Sequence, residues 1–242
     1  MPGSGEVYCV IGGSGFLGRR IVEALLARGD RVSVLDIVDR YNNSDVHFYA
    51  GDIRNETFLQ DALRKSGATC IIHTASPPHG LKDTALYRKV NVDGTKAVIA
   101  AAIAVGVTKL VYTSSVAVSV NSRAFIDADL RRAFHAYNKL KEQAEDIVMA
   151  ANGRKGLCTV ALQPAEITGP GASQALDSQV EGIAKLFQEG KVHYKIGNVN
   201  CATVSDVAHD HLCAADTLVP LSKEQDYETD PALPLSMAES SG

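Results

Sequence analysis

The chain has no excess of basic charge: 24 Lys and Arg stand against 28 Asp and Glu, for a formal net charge of −4. Nucleic-acid binders usually present a basic face, so no nucleic-acid partner is expected. A long hydrophobic run is also missing. The most apolar stretch, Ala97–Val107, lies between Lys96 and Lys109 and is too short to cross a bilayer, so it reads as a buried helix and no transmembrane segment is expected. The opening residues have neither the basic flank nor the apolar centre of a secretory leader, which points to a cytoplasmic location. Cysteine is sparse, five in all, an odd number without paired metal-ligand spacing. That argues against a disulfide framework and a metal site. Cys9, Cys70 and Cys158 fall inside apolar runs and are expected as small buried hydrophobes in a reducing compartment. There is no internal repeat.

What is present suits one globular domain with a real core: 242 residues, 45% hydrophobic and 21% charged. Six short β-rich runs stand out at Glu6–Ile11, Arg31–Asp36, Val46–Gly51, Thr69–Thr74, Lys109–Ser115 and Leu157–Gln163. Helical periodicity fills the gaps over Gly15–Gly29, Asn55–Gly67, about Leu86–Val105 and Tyr137–Gly153, most of these ending near glycine. The strands are almost continuously apolar, as in a parallel sheet covered on both faces. The expected fold is α/β, a doubly wound, mostly parallel Rossmann sheet with helices on both faces. One domain over residues 1–222 is expected, with a reduced substrate-binding region after about Pro164. Helices are expected over Ser173–Gln188 and Val204–Leu218. Residues 223–242 are polar and aperiodic and read as a disordered tail.

Gly12, Gly15 and Gly18 form a G-x-x-G-x-x-G pattern between the first strand and the first helix, with Phe16 and Leu17 inside it. Gly12 and Gly15 permit a tight turn and close approach of a diphosphate, and Gly18 permits close helix–strand packing. The exposed N–H groups and the positive helix end then hold the anion. Asp36 ends the second strand, where a carboxylate accepts both hydroxyls of an adenosine ribose and repels a 2′-phosphate. NAD is thus favoured over NADP, although Arg40 lies close by. Asp52 and Ile53, after the third strand, are placed where an adenine is contacted.

The nicotinamide end of such a cofactor falls near the ends of strands four to six. The segment His73–Pro77, with Ala75 and Ser76, meets Tyr112–Ser115 there. Tyr137 and Lys141 lie four residues apart, on one face at the start of a helix. A free phenol, with a pKa of about 10, is a poor base at neutral pH. An adjacent ammonium lowers that value and makes Tyr137 a usable acid–base group. Ser115 is placed to orient a substrate oxygen, and Asn91 to hold a water behind the lysine. His209 and His211 are two residues apart and read as solvated or locally bonded rather than metal-ligating. His73 reads as a packing residue, and Leu130–Arg132 as a solvated helix start.

Taken together, the glycine pattern, the Tyr112–Ser115 serine, the Tyr137/Lys141 pair and the stretches Val90–Ile99 and Val160–Gly171 resemble the extended short-chain dehydrogenase/reductases. They resemble in particular the 3β-hydroxysteroid dehydrogenase branch and its fungal sterol-4α-carboxylate 3-dehydrogenases, over roughly Val7–Ala215. The resemblance implies Tyr137 as acid/base, Lys141 as its partner, Ser115 as the substrate-orienting hydroxyl and Pro164 beside the cofactor. It also implies NAD(P)-dependent oxidation of a 3β-alcohol, after which a 4α-carboxylate leaves as carbon dioxide. The substrate expected is a sterol- or terpenoid-like small molecule. A homodimer and peripheral contact with the endoplasmic reticulum are further family expectations. Gln163 stands where members usually have Arg, and Thr168 where an aromatic residue commonly precedes Gly-Pro. The chain stops well before a usual extended member does. Three other readings stay open: ketone reduction, a non-redox enzyme of a fungal secondary pathway, and dinucleotide sensing without turnover.

Overall fold

In a computed structural model of the chain, residues 3–40, 44–78, 83–115, 128–164, 166–171 and 201–219 are described. Six strands form one parallel sheet in the order β3-β2-β1-β4-β5-β6. They are β1 (Val7–Ile11), β2 (Arg31–Asp36), β3 (His47–Ala50), β4 (Cys70–His73), β5 (Lys109–Thr113) and β6 (Cys158–Leu162). This is the doubly wound arrangement expected, with the order reversing between β1 and β4, where such sheets open a crevice at their carboxyl edge. Each strand lies within its expected run and is trimmed at one or both ends, except β2, which matches. A second sheet pairs β7 (Glu166–Thr168) with β8 (Cys201–Thr203) in parallel. These three-residue strands were not expected; they are too short to show alternation.

Alternate side chains of each strand enter opposite layers. On one face Cys9, Ile11, Leu35, Ile71, Leu110 and Tyr112 pack with α2 (Glu56–Ser66), α4 (Thr95–Val105) and α5 (Ala128–Met149). On the other, Tyr8, Val10, Val34, Ile72 and Val111 pack with α1 (Phe16–Arg28) and α6 (Val204–Thr217). Cys9 and Cys70 are buried in these layers and Cys158 is buried at the start of β6, all as free cysteines, and burial pushes the Cys9 thiol up to about 12. At the amino edge Arg28 ties α1 to α6, with Nε to Asp30 at 2.5 Å and Nη1 to Asp216 at 2.7 Å. Among the described residues no helix is long and apolar enough to cross a membrane.

Two helices differ from expectation. The segment read as one helix over Leu86–Val105 is α3 (Thr84–Tyr87), then a π-helical stretch Arg88–Gly94, then α4. The wider π turn accommodates Ile53 from the loop after β3: a Cβ at Gly94 would lie 2.6 Å from Ile53 Cδ1. In addition, α5 begins at Ala128, so Tyr137 lies well inside the helix rather than at its start. Leu130, Ala133 and Phe134 already carry helical spacing. The helix expected over Ser173–Gln188 and the tail over 223–242 lie outside the described residues.

Candidate active site

The loop from β1 to α1 is built by close approaches that only glycine allows. Gly12 has φ +83, and a Cβ there would lie 2.6 Å from the backbone nitrogen of Ala75, where β4 exits. A Cβ at Gly18 would fall 2.2 Å from the Gly12 carbonyl oxygen. Gly15 caps α1 in extended geometry without a side-chain hydrogen bond, and α1 has no acidic residue in its first turn. The first-turn N–H groups of a helix have no partner within it, so this end keeps its positive character. Ser14 adds a buried hydroxyl with no partner. A bare positive helix end, a backbone cradle and an orphaned hydroxyl fit the diphosphate of a dinucleotide. Leu17 is buried and Phe16 half-buried in the α1 layer, so their side chains pack while their backbone lines the cradle.

Asp36 stands beside this cradle. Its Oδ2 accepts from Ser14 N at 3.0 Å and its Oδ1 from Ile37 N at 2.7 Å, which fixes the carboxylate at the sheet edge. Asp52 is already engaged: Arg54 Nε donates to its two oxygens at 3.0 and 2.9 Å, and Arg54 N donates at 2.9 Å. The Arg54 hydrogen bonds hold this carboxyl below the usual carboxylate range. Ile53 is a buried packing residue against Gly94. Ala75 closes on Gly12, and Ser76 donates to Pro77 O at 3.1 Å. Pro164 is half-buried just past β6.

At the other end of the crevice, α5 lies over the carboxyl ends of β5 and β6. Lys141 is only 3% exposed, and its Nζ donates to Thr113 O at 2.6 Å and to the Tyr112 hydroxyl at 3.2 Å. It also lies 4.7 Å from the Tyr112 ring centroid, where the electron-rich face favours a cation. Burial pushes the Lys141 ammonium down to about 7, and the Glu145 carboxylate pulls it back up. Tyr137, half-buried one turn earlier, meets Tyr87 edge to face, with ring centroids 5.3 Å apart at 74°. Tyr87 is fixed in turn by its hydroxyl donating to Pro78 O at 2.8 Å. Ser115 lies two residues past the end of β5 and is half-buried. Asn91, in the π stretch, is buried with neither side-chain atom partnered. A buried amide in that state marks a place for water or a ligand.

Several participants escaped the sequence reading. Tyr87 braces Tyr137; it precedes Asn91 by four residues, a spacing that was visible. Tyr112 backs Lys141 and is linked through Thr95 to His73, whose Nε2 lies 3.1 Å from Thr95 Oγ1. Burial, helped by the Lys141 charge, pushes His73 down to about 3 and keeps it neutral. Glu145 accepts from Ser114 Oγ, and from Gln163 Nε2 at 2.8 Å. His209 and His211, expected to be solvated or locally bonded, each have a partner one turn away on α6. His211 Nδ1 donates to Val207 O at 2.7 Å and its Nε2 accepts from Thr113 Oγ1 at 2.8 Å, while His209 Nε2 lies 3.4 Å from Cys213 Sγ.

A parallel sheet that reverses beside a glycine cradle, with a tyrosine–lysine helix over its far strands, defines a Rossmann protein of the short-chain dehydrogenase/reductase type. Residues 9–229 match the 3-beta hydroxysteroid dehydrogenase/isomerase family, and the chain belongs to it. It is 34% identical over 246 residues to the Candida albicans sterol-4-alpha-carboxylate 3-dehydrogenase, decarboxylating, an alignment covering 93% of this chain and 69% of that one. The human protein of the same name is 36% identical over 224 residues, covering 86% and 57%. The chain therefore spans between 57% and 69% of the length of these two relatives. Among solved structures, the UDP-glucose 4-epimerase of Thermus thermophilus in complex with NAD superposes with a TM-score of 0.69 at 26% identity, covering 87% of this chain and 75% of that one.

Proposed function

We propose that the chain is an NAD-dependent dehydrogenase that oxidises the 3β-hydroxyl of a sterol-like substrate, including substrates with a 4α-carboxylate. The observation that carries this reading is the buried Lys141 ammonium, one turn from Tyr137 on α5 and bonded to Thr113 O at the tip of β5, two residues before Ser115. The glycine cradle and Asp36 support NAD, as does the NAD bound by the T. thermophilus epimerase. The substrate class follows the names of the C. albicans and human relatives.

A dinucleotide held by the Gly12–Gly18 cradle and Asp36 would supply a hydride acceptor for the alcohol carbon. Tyr137 takes the hydroxyl proton. Its deprotonated form is stabilised by the Lys141 charge, which acts at low dielectric because the lysine is buried. Ser115 hydrogen-bonds the substrate oxygen and orients it toward Tyr137. The Tyr87 ring limits the rotation of Tyr137, so less orientation is lost on reaching the reactive geometry. Asn91 holds a water that receives a proton from the lysine side and passes it toward solvent. The resulting 3-ketone accepts the electron pair of the adjacent carbon–carboxylate bond as carbon dioxide leaves.

The test is NADH formation by the purified protein with NAD and a 3β-hydroxysterol 4α-carboxylate, with carbon dioxide release followed in parallel. Tyr137→Phe removes the proton acceptor and is expected to lower turnover by about 10²- to 10⁴-fold. Full activity in that variant is incompatible with the mechanism. NADH without carbon dioxide would restrict the reaction to alcohol oxidation.

A further inference from the structure

We infer that Glu145 is a positioning residue of the Tyr137–Lys141 site, clamping the tip of β5 beneath Ser115 and supplying the counter-charge of Lys141. This inference rests on the dehydrogenase reading for its functional meaning and on geometry for its physical content.

Lys141 and Glu145 are one turn apart on α5 and grip adjacent residues of the same strand end. The lysine donates to the Thr113 carbonyl at 2.6 Å, and the carboxylate accepts from the Ser114 hydroxyl. The second carboxylate oxygen accepts from Gln163 Nε2 at 2.8 Å, while Ser114 N donates to Leu162 O at 2.7 Å. The tips of β5 and β6 are thereby joined to each other and to α5. Ser115 is the next residue along, so its position is set by what holds Ser114.

The charge of Glu145 acts on Lys141 independently of this clamp. Among the described residues three titratable groups face the lysine, His73 from β4, Tyr112 from β5 and Glu145 from α5 itself, with Tyr137 one turn earlier on α5. Burial keeps His73 neutral and raises the Tyr112 phenol. Glu145 is the standing negative charge among them. The Ser114 hydroxyl and the Gln163 amide that donate to its two oxygens are neutral, so they bond the carboxylate without cancelling its charge. Its field acts on Lys141 and opposes the burial that favours the uncharged amine.

The experiment follows the ε-methylene resonance of Lys141 by NMR in protein labelled with [13Cε]lysine, assigned by its disappearance in Lys141→Met. Glu145→Gln retains an acceptor for Ser114 and removes only the charge. Its Lys141 midpoint is expected to fall by about one pH unit, with the alkaline limb of kcat/KM moving down in step. Glu145→Asp is expected to restore the wild-type midpoint. Gln163→Arg sets a cation on the untouched carboxylate and should lower the same midpoint, which keeps the test available if Glu145→Gln does not fold. An unchanged Lys141 midpoint in both Glu145→Gln and Gln163→Arg, with wild-type turnover present, overturns the inference. A lowered midpoint in a protein without any NADH formation upholds the Glu145–Lys141 coupling and discards the dehydrogenase reading.

Discussion

Lys141→Met is expected to make the protein more stable at neutral pH while disabling it. In the unfolded chain a lysine titrates at about 10.4, whereas burial holds Lys141 at about 7 in the fold. Folding in the charged form is therefore penalised by roughly 4–5 kcal/mol below pH 7. Methionine fills much of the same volume without charge, but it forfeits the hydrogen bonds to Thr113 O and the Tyr112 hydroxyl, which contribute about 2 kcal/mol together. The variant should gain on the order of 2–3 kcal/mol at pH 7. The sign of the pH dependence is fixed. Between about 7 and about 10.4 the unfolded state binds more protons than the folded state, so wild-type stability rises with pH relative to the variant and the advantage of methionine disappears. Cys9 and Tyr8, both pushed up to about 12 by burial, act in the opposite direction over the upper part of this range. They are present in both proteins and cancel in the difference. Urea unfolding of both proteins from about pH 6 to about pH 10 measures that difference. A variant less stable than wild type at pH 7, or a gap that does not narrow with pH, refutes the reasoning.

Gly18→Ala would set a methyl 2.2 Å from the Gly12 carbonyl oxygen. It is expected to destabilise the fold by about 2 kcal/mol or more and to weaken NAD binding at least about tenfold. Urea unfolding and dinucleotide fluorescence titration check this, and wild-type values in both would show that the cradle has slack. Asp36→Ala removes the acceptor for Ser14 N and, on the proposed reading, the ribose acceptor. NAD affinity should fall about tenfold with much less effect on NADP; an unaltered NAD/NADP preference would remove Asp36 from cofactor selection.

Much of this architecture was legible because it follows from local patterns. The six main strands were visible as apolar runs between turn residues, and their alternation with helices implied the parallel sheet. Gly12, Gly15, Gly18 and Asp36 could be picked out because glycine spacing between a strand and a helix, and a charge at a strand end, are local patterns, although the contact that requires Gly12, with Ala75, is distant in the chain. The Tyr137/Lys141 pair was legible for the same reason, being one turn apart. What was hidden depends on contacts distant in sequence. Nothing near Glu145 says that its carboxylate will meet Ser114 and Gln163, and nothing near Tyr112 says that a lysine will rest against its ring. The π stretch was hidden differently: Arg88–Gly94 carries ordinary helical periodicity, and its wider turn answers to the bulk of Ile53 arriving from another loop.

The π stretch also makes chain length an indexing device. Each α-helical residue advances the side chain by about 100°. Deleting Val92 or Asp93 would let the helix relax to α geometry and swing everything before the deletion, Tyr87 and Asn91 included, by about that angle relative to α4. The brace on Tyr137 and the Asn91 amide would then face different directions even though every side chain named here was still encoded. In this segment residue count, as much as residue identity, keeps the reactive groups in phase.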